Sequence, residues 1–367
     1  MHHFQAFRVL YFLLAYLSPV RCAKAPNPAL TPLNYGAFTQ TATYSIANQL
    51  GFFTANGLNV TFLQIPNSPA GYAALLNGQY DILTGTIDNT VNFRFNQQKA
   101  LSVLGQLDQG PDLVIASVHS VASVQDLRGK TIMVDNATSG YAYLLRKILS
   151  LFGLVLGTDY TFQVVGATPL RYQYLINGTT PDGTPAYATI LTYPFTAEGE
   201  ALPADTRPNI LARASDFVNP FSSSAFTATT ASITDGIKGP LITKFLTAML
   251  EANQYLAAPK HKSCAIGAIA AQLNISTAVA TAEYAAATDP ETGETALMQG
   301  GIFNVSRQGL LNVIDLRAQF GGFTGVPAGF NFADAIVPGP GKLIDYTLRD
   351  QAVQAAAEGK VKIKGDC

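Results

Sequence analysis

GFFTANGLNVTFLQIPNSPAGYAALLNGQYDILTGTIDN, Gly51–Asn89, reads as helix end, strand, glycine turn, short helix, strand and polar turn. In parallel α/β sheets, ligands sit beyond the carboxyl ends of the strands. Here those ends carry Asn67, Ser68, Thr84, Thr86 and Asp88. They form a row of small polar groups without obvious catalytic apparatus, suited to holding a small molecule.

Upstream, Leu33–Phe38 reads as a short strand and Thr39–Leu50 as a helix capped by Thr39 or Thr41, with Tyr44, Ile46, Ala47 and Leu50 on one face. Further upstream, residues 1–22 read as a targeting segment. Arg8 supplies a positive flank, Val9–Leu17 is an apolar run too short to span a bilayer, and Val20 and Cys22 sit at the positions a signal peptidase reads. Arg21 stands where a lipoprotein would carry a small residue, which argues against Cys22 as a lipid anchor. No later run is long and apolar enough to span.

The ~345 residues left after cleavage exceed one comfortable hydrophobic core, so two lobes are expected. Charged residues make up 13% of the chain, about half the usual share. Solubility then rests on Thr, Ser, Asn and Gln, and on sugar at the sequons Asn59, Asn136, Asn177, Asn274 and Asn304. The formal charge of −1 makes nucleic acid and anionic membrane poor partners. Cleavage leaves Cys264 and Cys367, an even pair that reads as one disulfide in an oxidising compartment. It would close a loop of about 100 residues, for which chain entropy gives at most about 4–5 kcal/mol.

Downstream, helix Asn89–Gln98 and strand Ser102–Leu107 complete the first group of βα units. Strands at Leu113–Ser117, Thr131–Val134, Phe162–Val165 and Ala188–Leu191 alternate with helices Tyr141–Phe152 and Pro169–Ile176. Asn209–Ala212 and Ala225–Ala231 read as strands that return the chain to the first lobe. From Thr234 onward the pattern is mostly helical: Ile237–Leu256, Cys264–Leu273, Thr277–Ala287, Ser306–Phe320 and Tyr346–Ala357. Alternating βα units with helical ends argue for an α/β fold of two lobes.

These pieces resemble the type II periplasmic binding proteins of the nitrate, sulfonate, taurine and thiamine-pyrimidine group. LGFFTANGLNV (Leu50–Val60) resembles that family's passage from helix to second strand, and GYAALLNGQYDILTGT (Gly71–Thr86) its short helix and third strand. VQDLRGKTIMVDNATSGYAYLLRKILSLFGL (Val124–Leu154) resembles the start of the second lobe, and VVGATPLRYQYLINGT with AYATILTYPFTAEGEA (from Val164 and Ala186) its end. Order and spacing together make the likeness specific over Leu33–Leu256. It implies a two-lobe clamshell, each lobe a mainly parallel sheet flanked by helices, with a helical C-terminal extension and ligand in the cleft. The lobes are expected at 23–117 with 221–367, and at 118–220, joined near Ala116–Val121 and Asn219–Ala225.

Several residues carry two readings each. Thr138, Ser139, Gly140 and Tyr141 open a helix, where free N–H groups attract an anion or simply receive an N-cap. Gly36 permits close backbone approach, while Phe38 and Tyr35 either stack on a planar ligand or belong to the core. Ser68 and Thr86 lie at strand ends. Asp88 pairs with an amine-bearing ligand or stands solvated in a turn. Tyr193 reads as an aromatic wall of the second lobe, and Arg171, on a helix, reads as structural.

The same family includes a suicidal pyrimidine synthase that consumes a histidine and uses a cysteine-rich iron-binding segment. Here His2 and His3 leave with the signal, His119 and His261 fall away from strand ends, and no Cys cluster or metal spacing appears. The expectation is a secreted, monomeric solute-binding protein without catalysis, cofactor or metal. Its ligand would be a pyrimidine-like vitamin precursor or a sulfonate-like compound. The alternatives are that synthase chemistry, or a recognition glycoprotein displaying a surface to a protein partner. A transporter or receptor partner stays unnamed.

Overall fold

The computed structural model describes residues 29–297 and 302–359. The proposed signal segment and Cys367 lie outside the described residues. The chain begins with β1 (Thr31–Ala37), α1 (Ala42–Gln49), α2 (Phe52–Ala55), β2 (Leu58–Gln64), α3 (Ser68–Leu76), β3 (Ile82–Thr86), α4 (Ile87–Val91) and β4 (Leu101–Gln106). It crosses over into β5 (Val114–Ser117), β6 (Lys130–Val134), α5 (Gly140–Leu151), β7 (Tyr160–Val164), α6 (Thr168–Asn177), β8 (Ala188–Leu191), α7 (Phe195–Glu200) and β9 (Asn209–Arg213). It returns as β10 (Ser224–Thr229) and continues through α8 (Thr230–Thr234), α9 (Lys238–Ala257), α10 (Lys262–Leu273), α11 (Thr277–Ala287), α12 (Arg307–Gln319), α13 (Phe332–Ala335) and α14 (Thr347–Glu358).

Two five-stranded sheets result, ordered β2-β1-β3-β10-β4 and β7-β6-β8-β5-β9. In the first, β1 pairs parallel with β2 and β3, and β10 runs antiparallel between β3 and β4. In the second, β6 pairs parallel with β7 and β8, while β5 runs antiparallel to β8 and β9. β3, β4 and β8 are buried along their whole length, which explains their continuous apolar and small-residue runs, since helices cover both faces of such sheets. The fold is therefore α/β with two lobes, as the sequence predicts.

One boundary moves. Val114–Ser117, expected at the end of the first lobe, pairs with β8 and β9 in the second sheet. The crossover thus lies between β4 and β5, ahead of Ala116–Val121. A continuously apolar run, buried at every position, names no partner strand, so the sequence could not assign this strand to a sheet.

The terminal helices split between two duties. α9, α10, α11 and α14 cover the first sheet, where Tyr35, Tyr44, Phe53 and Phe245 share one core. α12 instead joins an apolar cluster common to both lobes, with Ile87, Val91 and Val103 from the first and Val134, Leu144 and Leu145 from the second. Among the described residues no single helix is long and apolar enough to cross a membrane; the bent pair Pro259–Leu273 and Thr277–Ala287 passes by composition only.

Candidate functional site

The strand ends and helix starts of both lobes converge on one cavity. The first lobe supplies Phe38, Thr39 and Thr41 after β1, Ser68 at the start of α3, Thr84–Thr86 at the end of β3, Asn89 on α4, and Ser224 on β10. The second supplies Asp135 after β6, Ser139 and Tyr141 at the start of α5, Thr168 and Arg171 on α6, and Thr192 and Tyr193 after β8. The cavity encloses about 40 Å³, room for roughly three waters. A Cβ on Gly85 would lie 3.2 Å from the Phe38 ring, so this glycine lets the ring lie against the strand.

The lobes meet across it through polar bonds. Ser68 donates to the Asp135 carboxylate from its backbone N at 3.0 Å and from Oγ at 2.5 Å. Asn89 Nδ2 donates to Ser68 Oγ at 3.0 Å, and Asn89 Oδ1 accepts from Gly140 N at 3.1 Å. Tyr141 and Ser223 hydroxyls lie 3.1 Å apart, and Ala167 N donates to Pro66 O at 2.8 Å. Burial pushes the Tyr141 and Tyr193 phenols well up, so both stay neutral donors.

Arg171 is 2% exposed and lines this cavity. Its Nε donates to Gly166 O at 2.9 Å, its Nη1 to Thr189 Oγ1 at 2.5 Å and Ile190 O at 2.7 Å, and its Nη2 to Thr168 Oγ1 at 2.9 Å. A guanidinium has five N–H groups, so among the described residues one N–H on Nη2 remains. No carboxylate there comes within ion-pair distance of it. Burial pulls its pKa down, and the nearby Asp135 charge opposes that shift. A buried cation held by neutral acceptors is costly unless an anion reaches it.

Of the residues singled out in the sequence, Phe38, Ser68, Thr86, Ser139, Tyr141 and Tyr193 line the cavity. Four do not. Gly36 lies under Tyr80, where a Cβ would sit 2.4 Å from the ring, so its small size serves packing. Asp88 is buried in an ion pair with Arg317 of α12, whose Nε donates at 2.9 Å and Nη2 at 2.5 Å. Thr138 is exposed, its N and Oγ1 donating to Asn136 Oδ1, while its carbonyl accepts from Arg317 at 2.8 Å. Gly140 leaves no space for a Cβ, which would lie 2.9 Å from Asp88 Cβ. The anion-attracting N–H groups expected at Thr138–Gly140 are accordingly spoken for: Asn136 takes two and Asn89 the third. Tyr35 is core, stacked on Tyr44.

Asn89, Asp135, Thr168 and Arg171 were not singled out as ligand contacts. Arg171 did carry a signal. It stands in the first turn of α6, where no acidic residue accompanies it and a cation is disfavoured by the helix dipole. Helical side chains also tilt toward the N-terminus, here toward the cleft.

Behind the first-lobe wall lies a group of acids. Glu294 accepts from Ala42 N at 2.9 Å and Thr43 N at 2.8 Å, so the start of α1 is occupied by the chain's own carboxyl. Burial pushes Glu294 up to about 7, and pushes Glu283 well above the carboxylate range and Asp108 upward. Neither Glu283 oxygen has a hydrogen-bond partner among the described residues.

His119 is exposed, and His261 stacks on Tyr255 at 3.9 Å; neither lines the cavity. Cys264 packs beside the first-lobe core, also away from it. Among the described residues no cluster of three metal-ligating side chains occurs.

The family model described as NMT1/THI5 like matches residues 38–262. The chain belongs to this family. No curated protein matches it significantly. Among solved structures it is similar to the periplasmic nitrate-binding protein NrtA from Synechocystis PCC 6803, 13% identical with a TM-score of 0.65, covering 89% of each chain. It is also similar to the alkanesulfonate-binding protein SsuA from Xanthomonas axonopodis pv. citri bound to MOPS, 17% identical with a TM-score of 0.62, covering 82% of this chain and 96% of that one. A Candida albicans gene product with the generic periplasmic binding protein fold is 16% identical, with a TM-score of 0.59 over 92% of this chain and 99% of that one. At such identities the likeness is one of fold, and it agrees with the family's two-lobe architecture.

Proposed function

We propose that this protein is a secreted, monomeric binding protein that holds a small organic anion between its lobes and leaves it chemically unchanged. The observation that carries the reading is Arg171: a buried guanidinium that no carboxylate among the described residues contacts, set among hydroxyls in a cavity that both lobes line. The anion accepts from Nη2 of Arg171, and the Ser139, Tyr141 and Thr168 hydroxyls complete its shell. Phe38 and Tyr193 bound its apolar or planar part. This moves the ligand away from a neutral pyrimidine and toward a sulfonate- or carboxylate-bearing molecule. The nitrate- and alkanesulfonate-binding relatives support an anion in principle. His119, His261 and Cys264, all placed away from the cavity, favour binding over catalysis.

The extracellular part of the reading rests on the sequence: a signal at 1–22, a Cys264–Cys367 bridge and glycans. The Asn59, Asn177 and Asn274 sites are exposed, which suits carbohydrate. Ligand affinity for the closed arrangement draws the lobes together, since only differential affinity shifts such an equilibrium. Native mass spectrometry of protein from its source is expected to show a retained anion of low mass that is lost in Arg171→Met. A bare chain in both, or equal retention by both, contradicts the reading.

A further inference from the structure

The carboxyls of Asp108, Glu198, Glu283 and Glu294 gather where the lobes meet beside the crossovers, and none of them lines the cavity. Asp108 lies between β4 and β5. Its backbone carbonyl accepts from Ser223 N at 3.3 Å, and its Oδ1 accepts from Gly110 N at 2.9 Å and Ser224 N at 3.3 Å. It therefore clasps both passages of chain between the lobes, while its Oδ2 has no partner among the described residues. Gln109 ties this crossover to the turn that presents Glu294: its N donates to Thr292 O at 2.9 Å and its Nε2 to Glu291 O at 2.6 Å.

The rest of the seam is helical. α7 of the second lobe packs on α11, which covers the first sheet. Glu283 of α11 is fully buried with both oxygens unpartnered among the described residues, and the charges bearing on it are Glu294 and, from α7, Glu198. Tyr193, in the second-lobe wall of the cavity, faces the same acids: Glu294, Asp108 and Glu283 all act on its phenol. Among the described residues no Lys, Arg or His is bonded to Asp108, Glu283 or Glu294. The charges nearby are engaged elsewhere. Arg213 pairs with Asp112 and Glu200, Lys262 of α10 lies over the Tyr284 ring, Glu251 of α9 holds Asn56, and Asp289 caps its own turn. From β1 and α1 come the phenols of Tyr35 and Tyr44.

Burial is the chief reason Glu283 and Glu294 hold their protons, Glu294 up to about 7, and the neighbouring acids add to it. Parting α7 from α11 admits water, which favours the charged forms. The arrangement that binds protons more tightly is favoured at low pH and loses that advantage as pH rises. We propose that this acid seam is a pH-sensitive latch: the lobes stay shut while its carboxyls are protonated, and part at α7 and α11 as Glu283 and Glu294 ionise. The protein then holds its ligand in acid surroundings and gives it up as pH rises. The latch rests on the closing of two lobes described above and not on the charge of the ligand.

The test is small-angle scattering of the ligand-free, full-length protein at pH 5 and pH 8, with hydrogen exchange at both, corrected for intrinsic rates. The radius of gyration is expected to be larger at pH 8, and protection in Phe195–Glu200 and Thr277–Ala287 to fall about tenfold relative to Gly140–Leu151. Glu283→Gln is expected to lose most of both responses. Glu283→Met, which buries no amide, serves as a second variant should Glu283→Gln fold poorly. An unchanged radius overturns the latch. So does an equal loss of protection in Gly140–Leu151, which reports general unfolding, and so does a response that both variants keep. The anion reading stands through each of these results, since the protein is measured without ligand.

Discussion

Two arginines are buried almost equally deeply in this protein, and they are used in opposite ways. Arg317 on α12 grips Asp88 through two nitrogens and adds the Thr138 carbonyl, tying α12 and α4 to the loop before α5. Arg171 on α6 touches only carbonyls and hydroxyls, and it borders the cavity. The first is a finished ion pair that fastens the lobes. The second is a charge that no carboxylate among the described residues contacts, with the Asp135 charge nearby. Burial alone therefore does not distinguish the two arginines; their partners do.

The largest expected effect is on the finished pair. Asp88→Ala leaves Arg317 buried and uncompensated, for a loss of about 3–5 kcal/mol of stability in chemical denaturation. Arg171→Met is expected to do the reverse. Ligand affinity falls about 100-fold or more, as when one partner of a desolvated charge pair is removed, with the melting temperature unchanged or raised. A stability loss in Arg171→Met to match Asp88→Ala would erase the contrast.

Ser68→Ala probes the seam between these two regions. It removes the Oγ–Asp135 bond, with an expected cost of about 1.5–3 kcal/mol to the closed arrangement. Small-angle scattering of the ligand-free protein is expected to show a larger radius of gyration than wild type. An unchanged radius would mean that the apolar cluster around α12 holds the lobes without help.

The smallest effect concerns the acids behind the cavity. Glu283 and Glu294 have folded pKa values raised by burial. Their contribution to stability is full below the ordinary carboxyl range and is lost as pH rises through the folded values, about 7 for Glu294. Melting temperature is expected to fall between pH 5 and pH 8. Glu283→Gln keeps the neutral shape and is expected to recover about 1 kcal/mol of the loss at pH 8. An equal fall in this variant would place the pH dependence elsewhere.

Much of the fold was legible because the polar punctuation coincides with the apolar periods. Asn56-Gly57, Asn77-Gly78 and Asn177-Gly178 mark element ends, and the helix over Thr277–Ala287 matches its expected bounds. The cavity wall was legible where a residue sits directly at a strand end, as at Thr86 and Tyr193. What escaped depends on partners far apart in sequence. Asp88 looks free until α12 folds back from 229 positions away to meet it. Arg171 reads as structural on its helix; its place on the cavity wall, beside an Asp135 already bonded to Ser68 in the other lobe, emerges only in the fold. A one-dimensional pattern carries helix faces and caps; it does not carry which charges find each other.

The most direct test of the account is titration calorimetry of the short anions methanesulfonate, acetate, phosphate and nitrate into wild type and Arg171→Met, with Arg317→Lys as the reference for general damage. The account predicts that at least one anion binds the wild type, that Arg171→Met loses it by about 100-fold, and that Arg317→Lys keeps it. Binding of none of them, or equal binding by wild type and Arg171→Met, would contradict the claim that Arg171 is the anchor of an anion site.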